Sequence, residues 1–260
     1  VNIAFYAPMK PLDDPTPSGD RQMGRAIIGA LEGCGHVVRI ASRFRAWCRT
    51  GGDDAMAALA EQAKDEADTV LDNWRTEGYR PDLVLTYHVY HKAPDWIGPM
   101  LSRATGAAYM IVEGARALKQ QKGPWATGFA AADAAFDRAD AVVAIHAEDA
   151  EGLEPVVPRE RLWLLPPFID TGRFREAERR PAENEVPRLL AVGMMRDGDK
   201  RASYQVLARA LARLADRPWQ LTVAGDGPAG KTIRALFPAE RTRFLGELAP
   251  EEMPAVYAGA

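Results

Sequence analysis

Leu83-Val84-Leu85-Thr86-Tyr87, then a helical pattern from Pro94 to Arg103, then Ala108-Tyr109-Met110-Ile111-Val112, is the stretch whose reading decides the fold. Both apolar runs are short and lack strict alternation with polar residues, so they read as strands buried on both faces. Two such strands joined by a helix run parallel, because a tight hairpin reverses direction and a crossover does not. Working outward, the same unit repeats. Strand-like runs lie at Ile3 to Ala7, Val37 to Ala41, Ala141 to Ile145 and Leu162 to Leu165. Helical patterns at Arg21 to Leu31, Ala55 to Arg75, Trp125 to Arg138 and Ala147 to Leu153 separate them. Gly33 and Gly35 follow the first helix where a left-handed residue is wanted, and Asp54 is placed to cap the second. Strand and helix alternate throughout, which predicts an α/β fold with a parallel sheet.

Composition agrees with this and excludes other classes. The 260 residues are 47% apolar and 27% charged, which is the range of an ordinary globular chain. Lys+Arg 33 against Asp+Glu 36 leaves a formal charge of −3, so no global basic field draws the chain to nucleic acid. Cys34 and Cys48 are too few and too far apart for a disulfide framework or a zinc cluster. They read as free thiols of a reducing compartment, so the expected location is cytoplasmic. The first residues already look like a strand, without the pattern of a signal peptide, and no apolar run approaches the roughly 18 to 20 residues of a membrane span. Contact with a membrane would be peripheral, at its inner face.

After Leu165 the alternation stops. Residues 171–187, rich in charge and proline, read as a linker between a first domain over 1–170 and a second over 188–260. The second has strands at Leu189 to Val192, Gln220 to Ala224 and Thr242 to Leu245, with helices at Arg201 to Leu214, Ala229 to Leu236 and Pro250 to Ala258. Three parallel strands are few for independent burial, so this domain is expected to be cut short and its open edge to be covered, for instance in a homodimer.

Several strand ends carry candidate chemistry. Gly225-Asp226-Gly227-Pro228-Ala229-Gly230-Lys231-Thr232 matches the P-loop pattern literally. An NTPase would use its amides and Lys231 for phosphates and Thr232 for Mg²⁺, yet no apolar strand ending in Asp follows to hold the metal. The same residues also suit a plain strand-to-helix turn, with Gly225 and Gly227 bending the chain and Pro228 starting the helix. Gly193 opens a loop carrying Arg196 and Lys200, two cations at a strand's carboxyl end, a site for a diphosphate. Pro17-Ser18-Gly19-Asp20 precedes the first helix, where Gly19 allows a ligand close to the backbone and Ser18 or Asp20 can cap. His88, His91 and Glu113 lie just past the third and fourth strands, the edge where open α/β sheets bind ligands. Arg43-Phe44-Arg45-Ala46-Trp47-Cys48-Arg49 alternates cations with aromatics; it either folds Phe44 and Trp47 inward or meets a leaflet.

Taken in order, these segments resemble retaining glycosyltransferases of family 4. Gly19 with its helix, Leu165-Pro166-Pro167-Phe168-Ile169-Asp170-Thr171-Gly172-Arg173-Phe174, Val192-Gly193 with Lys200, Val223-Ala224-Gly225-Asp226-Gly227-Pro228 and Phe244-Leu245-Gly246 carry the likeness. The resemblance implies a GT-B fold of two Rossmann-like domains, a nucleotide sugar as substrate, and a saccharide or lipid-linked acceptor in cell-surface glycan synthesis. It assigns Gly193, Arg196 and Lys200 to the donor diphosphate, Gly225 and Gly227 to a donor-domain turn, and Gly19, Asp20, His88 and Glu113 to the acceptor cleft. No metal or other cofactor is implied. Arg196 stands later than the family's arginine, and Glu113 stands where many relatives have histidine. The family's Glu-x7-Glu segment would fall beyond Ala260, so the implied catalytic carboxylates are outside this sequence and the 260 residues alone are expected to be inactive. Two readings from other classes remain at this point: the P-loop NTPase, and a non-catalytic ligand-binding module of two α/β lobes.

Overall fold

A computed structural model of the chain describes residues 1–16, 18–174 and 186–260. It divides into two compact units, Val1–Ile169 and Asp170–Ala260. Among the described residues no helix is long and apolar enough to cross a membrane.

In the first unit six strands, β1 (Asn2–Tyr6), β2 (Val37–Ser42), β3 (Leu83–Val89), β4 (Ala108–Gly114), β5 (Ala141–Ala144) and β6 (Leu162–Leu164), form one sheet in the order β2-β1-β3-β4-β5-β6. Every neighbouring pair is parallel. Alternation along β1 shows why both faces are apolar. Ile3 and Phe5 point into one layer with Leu85, Tyr87 and Ile27, which lies on α1 (Gly19–Gly33). Ala4 and Tyr6 point into the other with Val84, Ala67 and Trp74 of α2 (Asp53–Glu77), Leu101 of α3 (Ile97–Thr105) and Phe136 of α4 (Ala126–Arg138). α5 (Ala147–Leu153) adds Leu153 to that second layer. A buried β1 side chain contributes about 1.5 to 3 kcal/mol, so the pattern Ile3 to Tyr6 holds this strand inside the sheet, between β2 and β3.

Two local expectations change. Asp54 does not cap α2; Gly52 does, at φ +101° and with its N–H donating to Pro124 O at 2.6 Å. α3 begins at Ile97, later than Pro94, because Asp95 turns its carboxylate onto the amides of Ile97 and Gly98 at 2.9 and 2.8 Å.

The second unit has β7 (Arg188–Val192), β8 (Gln220–Ala224) and β9 (Thr242–Gly246), parallel and in sequence order. α6 (Asp199–Ala212) brings Tyr204 and Leu211 onto Leu221 and Val223. α7 is shorter than expected, Gly230–Arg234, and α8 spans Met253–Ala258. Of the expected linker, residues 175–185 lie outside the described residues, whereas Phe174 stands edge-on to Tyr257 with ring centres 5.6 Å apart.

Candidate functional site

His88 and Glu113 sit inside the carboxyl-terminal turns of β3 and β4, not past them. The register pairs Tyr87 with Val112 and Val89 with Gly114, and the two residues between them face each other unpaired. Both have left-handed backbones, φ +64° and +63°, and they are the only non-glycine residues with positive φ among those described. That conformation costs roughly 1 to 2 kcal/mol per residue, and strain of this kind collects at sites where geometry serves function. Simple alternation would send His88 to the α3 side with Thr86. The turned backbone instead brings its Nδ1 to 3.2 Å from Asp20 Oδ1, on α1, and 3.4 Å from Glu113 Oε1. Neither contact is aligned as a hydrogen bond, so this buried nitrogen lies between two carboxylates without a defined partner.

Asp20 is free for this role because Ser18 caps α1, its hydroxyl accepting from the Arg21 amide at 3.3 Å. The imidazole beside Asp20 holds its carboxyl below the ordinary value against the opposing pull of burial. Burial first, and the Glu113 carboxylate next, push the Tyr87 phenol upward, so it stays protonated beside Glu113. Asp20, Tyr87 and Glu113, with Gly19, Met23, Ile145 and Pro167, line a cavity of about 260 Å³, and His88 touches two of its walls, Asp20 and Glu113. The space a Cβ on Gly19 would fill is open, so nothing in the protein blocks approach there. The ligand atoms of Asp20, His88 and Glu113 fall within 4.8 Å of one another, a set able to hold a metal ion. Sequence reasoning missed Tyr87 and Met23; both carried only the signal of an apolar position in a regular element. His91 stays out of the cluster. Its ring packs edge-on against Trp125, and burial followed by Lys92 and Lys119 lowers its pKa.

In the second unit Gly193, Arg196, Lys200, Gly225 and Gly227 gather at the carboxyl ends of β7 and β8. Met195 is fully buried and anchors the first loop, while Tyr204 donates its hydroxyl to Gly193 O at 2.9 Å. The two loops are laced together: Gly193 N to Ala224 O at 3.0 Å, Met195 N to Asp226 O at 2.9 Å and Ala229 N to Met195 O at 2.9 Å. Gly225 and Gly227, at φ +131° and +153°, lie where a Cβ would stand 2.0 Å from Gly193 O and 2.4 Å from Met195 O. Arg196 and Lys200 are exposed, Lys200 in the first turn of α6.

This lacing counts against the P-loop. A phosphate cradle needs free amides, but those of Gly225, Gly227, Ala229 and Gly230 donate to Gly246 O, Asp226 Oδ1, Met195 O and Gly227 O, and Pro228 has none. α7, carrying Lys231 and Thr232, has only five residues. The glycines serve the packing of two loops.

No family model and no curated protein matches the chain by sequence. Solved structures do match in fold. The apo form of the lipopolysaccharide outer core galactosyltransferase WaaB superposes with a TM-score of 0.55 at 17% identity, over 96% of this chain and 69% of that one. The catalytic domain of starch synthase IV from Arabidopsis thaliana, bound to ADP and acarbose, gives 0.61 at 10% identity, over 98% and 76%. Anabaena HepE in complex with UDP and glucose gives 0.54 at 14% identity, over 99% and 72%. The fold is α/β and GT-B-like, with two Rossmann-like parallel-sheet units.

Proposed function

We propose that this chain is a glycosyltransferase of the GT-B type that takes a nucleotide sugar and passes its glycosyl unit to a saccharide or lipid-linked acceptor. The observation that carries this reading is the strained pair His88 and Glu113: Glu113 lines a cavity of about 260 Å³ together with Asp20, and His88 stands against both carboxylates. That volume lies just under the roughly 300 to 1,000 Å³ of drug-sized sites and suits a single sugar ring. Two carboxylates and the Tyr87 phenol that line the cavity can bond several hydroxyls at once, which is the chemistry a saccharide presents.

On the donor side, Arg196 and Lys200 meet the charge that develops on the leaving diphosphate as the glycosidic bond breaks. Two fixed cations do this without a metal, and the sequence resemblance implies retention at the anomeric carbon and a role in surface glycan assembly. Lys200→Ala is expected to weaken nucleoside-diphosphate binding about 10- to 100-fold, the worth of one charge-assisted contact, with Lys231→Ala unchanged. Calorimetry with UDP, ADP and GDP in the presence of EDTA measures this. The reverse ranking, or binding that needs Mg²⁺, would overturn the donor assignment.

On the acceptor side the strain gives an unusual ordering. Glycine at position 113 removes the left-handed cost, so Glu113→Gly should be more stable than Glu113→Ala by about 1 kcal/mol, the opposite of the rule in strands. Both should bind acceptor saccharides at least about 10-fold more weakly, as loss of a charged hydrogen-bonding group predicts. Thermal melts and saturation-transfer NMR with a saccharide panel test the two halves separately.

A further inference from the structure

Three loops at the carboxyl edge of the first sheet share a charge pattern that the transfer reading does not use. Residues 43–52 after β2, 90–94 after β3 and 115–125 after β4 contain Arg43, Arg45, Arg49, Lys92, Arg116, Lys119 and Lys122, and no carboxylate. The first acids after residue 52, Asp53 and Asp54, begin α2. Seven cations without an acid stand out in a chain whose formal charge is −3.

The loops are one surface because they are bonded to each other. Cys48 N donates to Lys92 O at 2.8 Å, Gly52 N donates to Pro124 O at 2.6 Å, and the His91 ring stands against Trp125 at 5.7 Å. Lys92 and Lys119 both act on His91 from opposite loops. Arg43 is neutralised by Asp13, from the loop after β1, and Arg116 by Asp133. In that same loop Asp14 is taken up by Lys10. Arg45 and Lys92 lie over the rings of Trp47 and Trp125, which leaves their charges uncancelled. Arg45, Arg49, Lys92, Lys119 and Lys122 therefore have no carboxylate partner among the described residues.

We propose that this edge docks on an anionic membrane surface. Of the two readings of residues 43–49, inward packing holds for Phe44, which lies against the core, with Ala46 and Cys48 buried, so the contact belongs to the broader face and not to that segment alone. Two observations favour a lipid surface over a soluble anion. None of the five cations lines the cavity of the candidate site or one of about 270 Å³ between α1 and β2, so the charges spread over a face and do not converge on either of these. Leu118, 59% exposed, stands beside Lys119, and Trp47 and Tyr90 are half-buried, which supplies the apolar and aromatic contacts of an interface. Each basic residue near an anionic leaflet strengthens binding about five-fold, so the five act together.

The inference stands apart from the transfer chemistry, because a chain that bound no nucleotide would still be drawn to the membrane. The test is sedimentation of the 260-residue chain with vesicles of phosphatidylglycerol and phosphatidylcholine. Binding should weaken as salt is raised and be absent on phosphatidylcholine alone. Arg49→Ser, Lys119→Ser and Lys122→Ser combined should lower partitioning about 100-fold with an unchanged melting temperature, whereas Lys64→Ser with Arg103→Ser should not change it. The proposal is overturned if the unaltered chain stays in solution with anionic vesicles, if the triple variant binds equally well, or if neutral vesicles bind as well as charged ones. Retention on heparin without vesicle binding would overturn it in favour of a soluble polyanion.

Discussion

Gly225→Ala is expected to cost about 4 kcal/mol or more, removing a large share of the second unit's stability while leaving the first intact. Its φ of +131° is a conformation that side chains rarely adopt, and the added Cβ would stand 2.0 Å from Gly193 O. The carbonyl cannot move aside, because it accepts from Tyr204, and the Gly193 amide is held by Ala224 O. A unit of this size commonly has about 5 to 10 kcal/mol of stability in total. Gly193→Ala is the contrast, since its Cβ would meet only Tyr204 Oη at 3.5 Å, ordinary contact, and should cost less than about 1 kcal/mol. Trp219 is the one tryptophan beyond residue 169, so fluorotryptophan NMR reads the second unit through a single resonance. A Trp219 signal that melts within about 1 kcal/mol of the unaltered chain would sink the claim that the two loops are locked.

These glycines show what a sequence can and cannot carry. Gly225 and Gly227 were visible as a motif, and the motif pointed two ways, to phosphate or to packing. What decides between them is whether the loop amides are already spent, a fact of hydrogen bonding between segments some thirty residues apart. Strand order along the chain was legible because doubly buried strands such as Ile3 to Tyr6 need continuous apolar runs, and the Ala-rich helices between them carry their own period. His88, Glu113 and Asp20 were legible as positions at the ligand-binding edge. Their convergence was not, because it depends on two left-handed backbone turns that neither residue type advertises. The cap of α2 was misplaced for a related reason. An aspartate near a helix start is a good local signal, but Gly52 is held by Pro124, which belongs to a distant loop. Asp95 escaped attention altogether, hidden inside a stretch that reads as helix from Pro94 onward.

Asp95 nevertheless carries the second large effect. Its carboxylate is 2% exposed and accepts three hydrogen bonds, from the amides of Ile97 and Gly98 and from Tyr109 Oη at 2.7 Å. It thereby ties the start of α3 to β4, one of the two strands that hold the site. Asp95→Ala leaves three buried donors without acceptors at about 1 to 3 kcal/mol each, so a loss of about 4 kcal/mol is expected after some relaxation. Asp95→Asn keeps an acceptor for the two amides and can donate to the Tyr109 oxygen, and should stay within about 1 kcal/mol of the unaltered chain. The pH dependence has a definite sign. Burial raises the folded pKa of Asp95, against the lowering effect of its hydrogen bonds. Stability from this group is therefore complete below the unfolded carboxylate value and is lost as pH rises through the raised folded value. Asp20 runs the other way: its lowered folded pKa gives stability above the unfolded value that is lost as pH falls through the folded one. In denaturation curves from acid to neutral pH, Asp95→Asn should flatten the downward slope to the part owed to Asp149, whose carboxyl burial also raises, and keep the acid loss owed to Asp20. If that slope is unchanged in Asp95→Asn, or if Asp95→Ala is as stable as Asp95→Asn, the buried carboxylate does not hold the start of α3 in the way its three hydrogen bonds require.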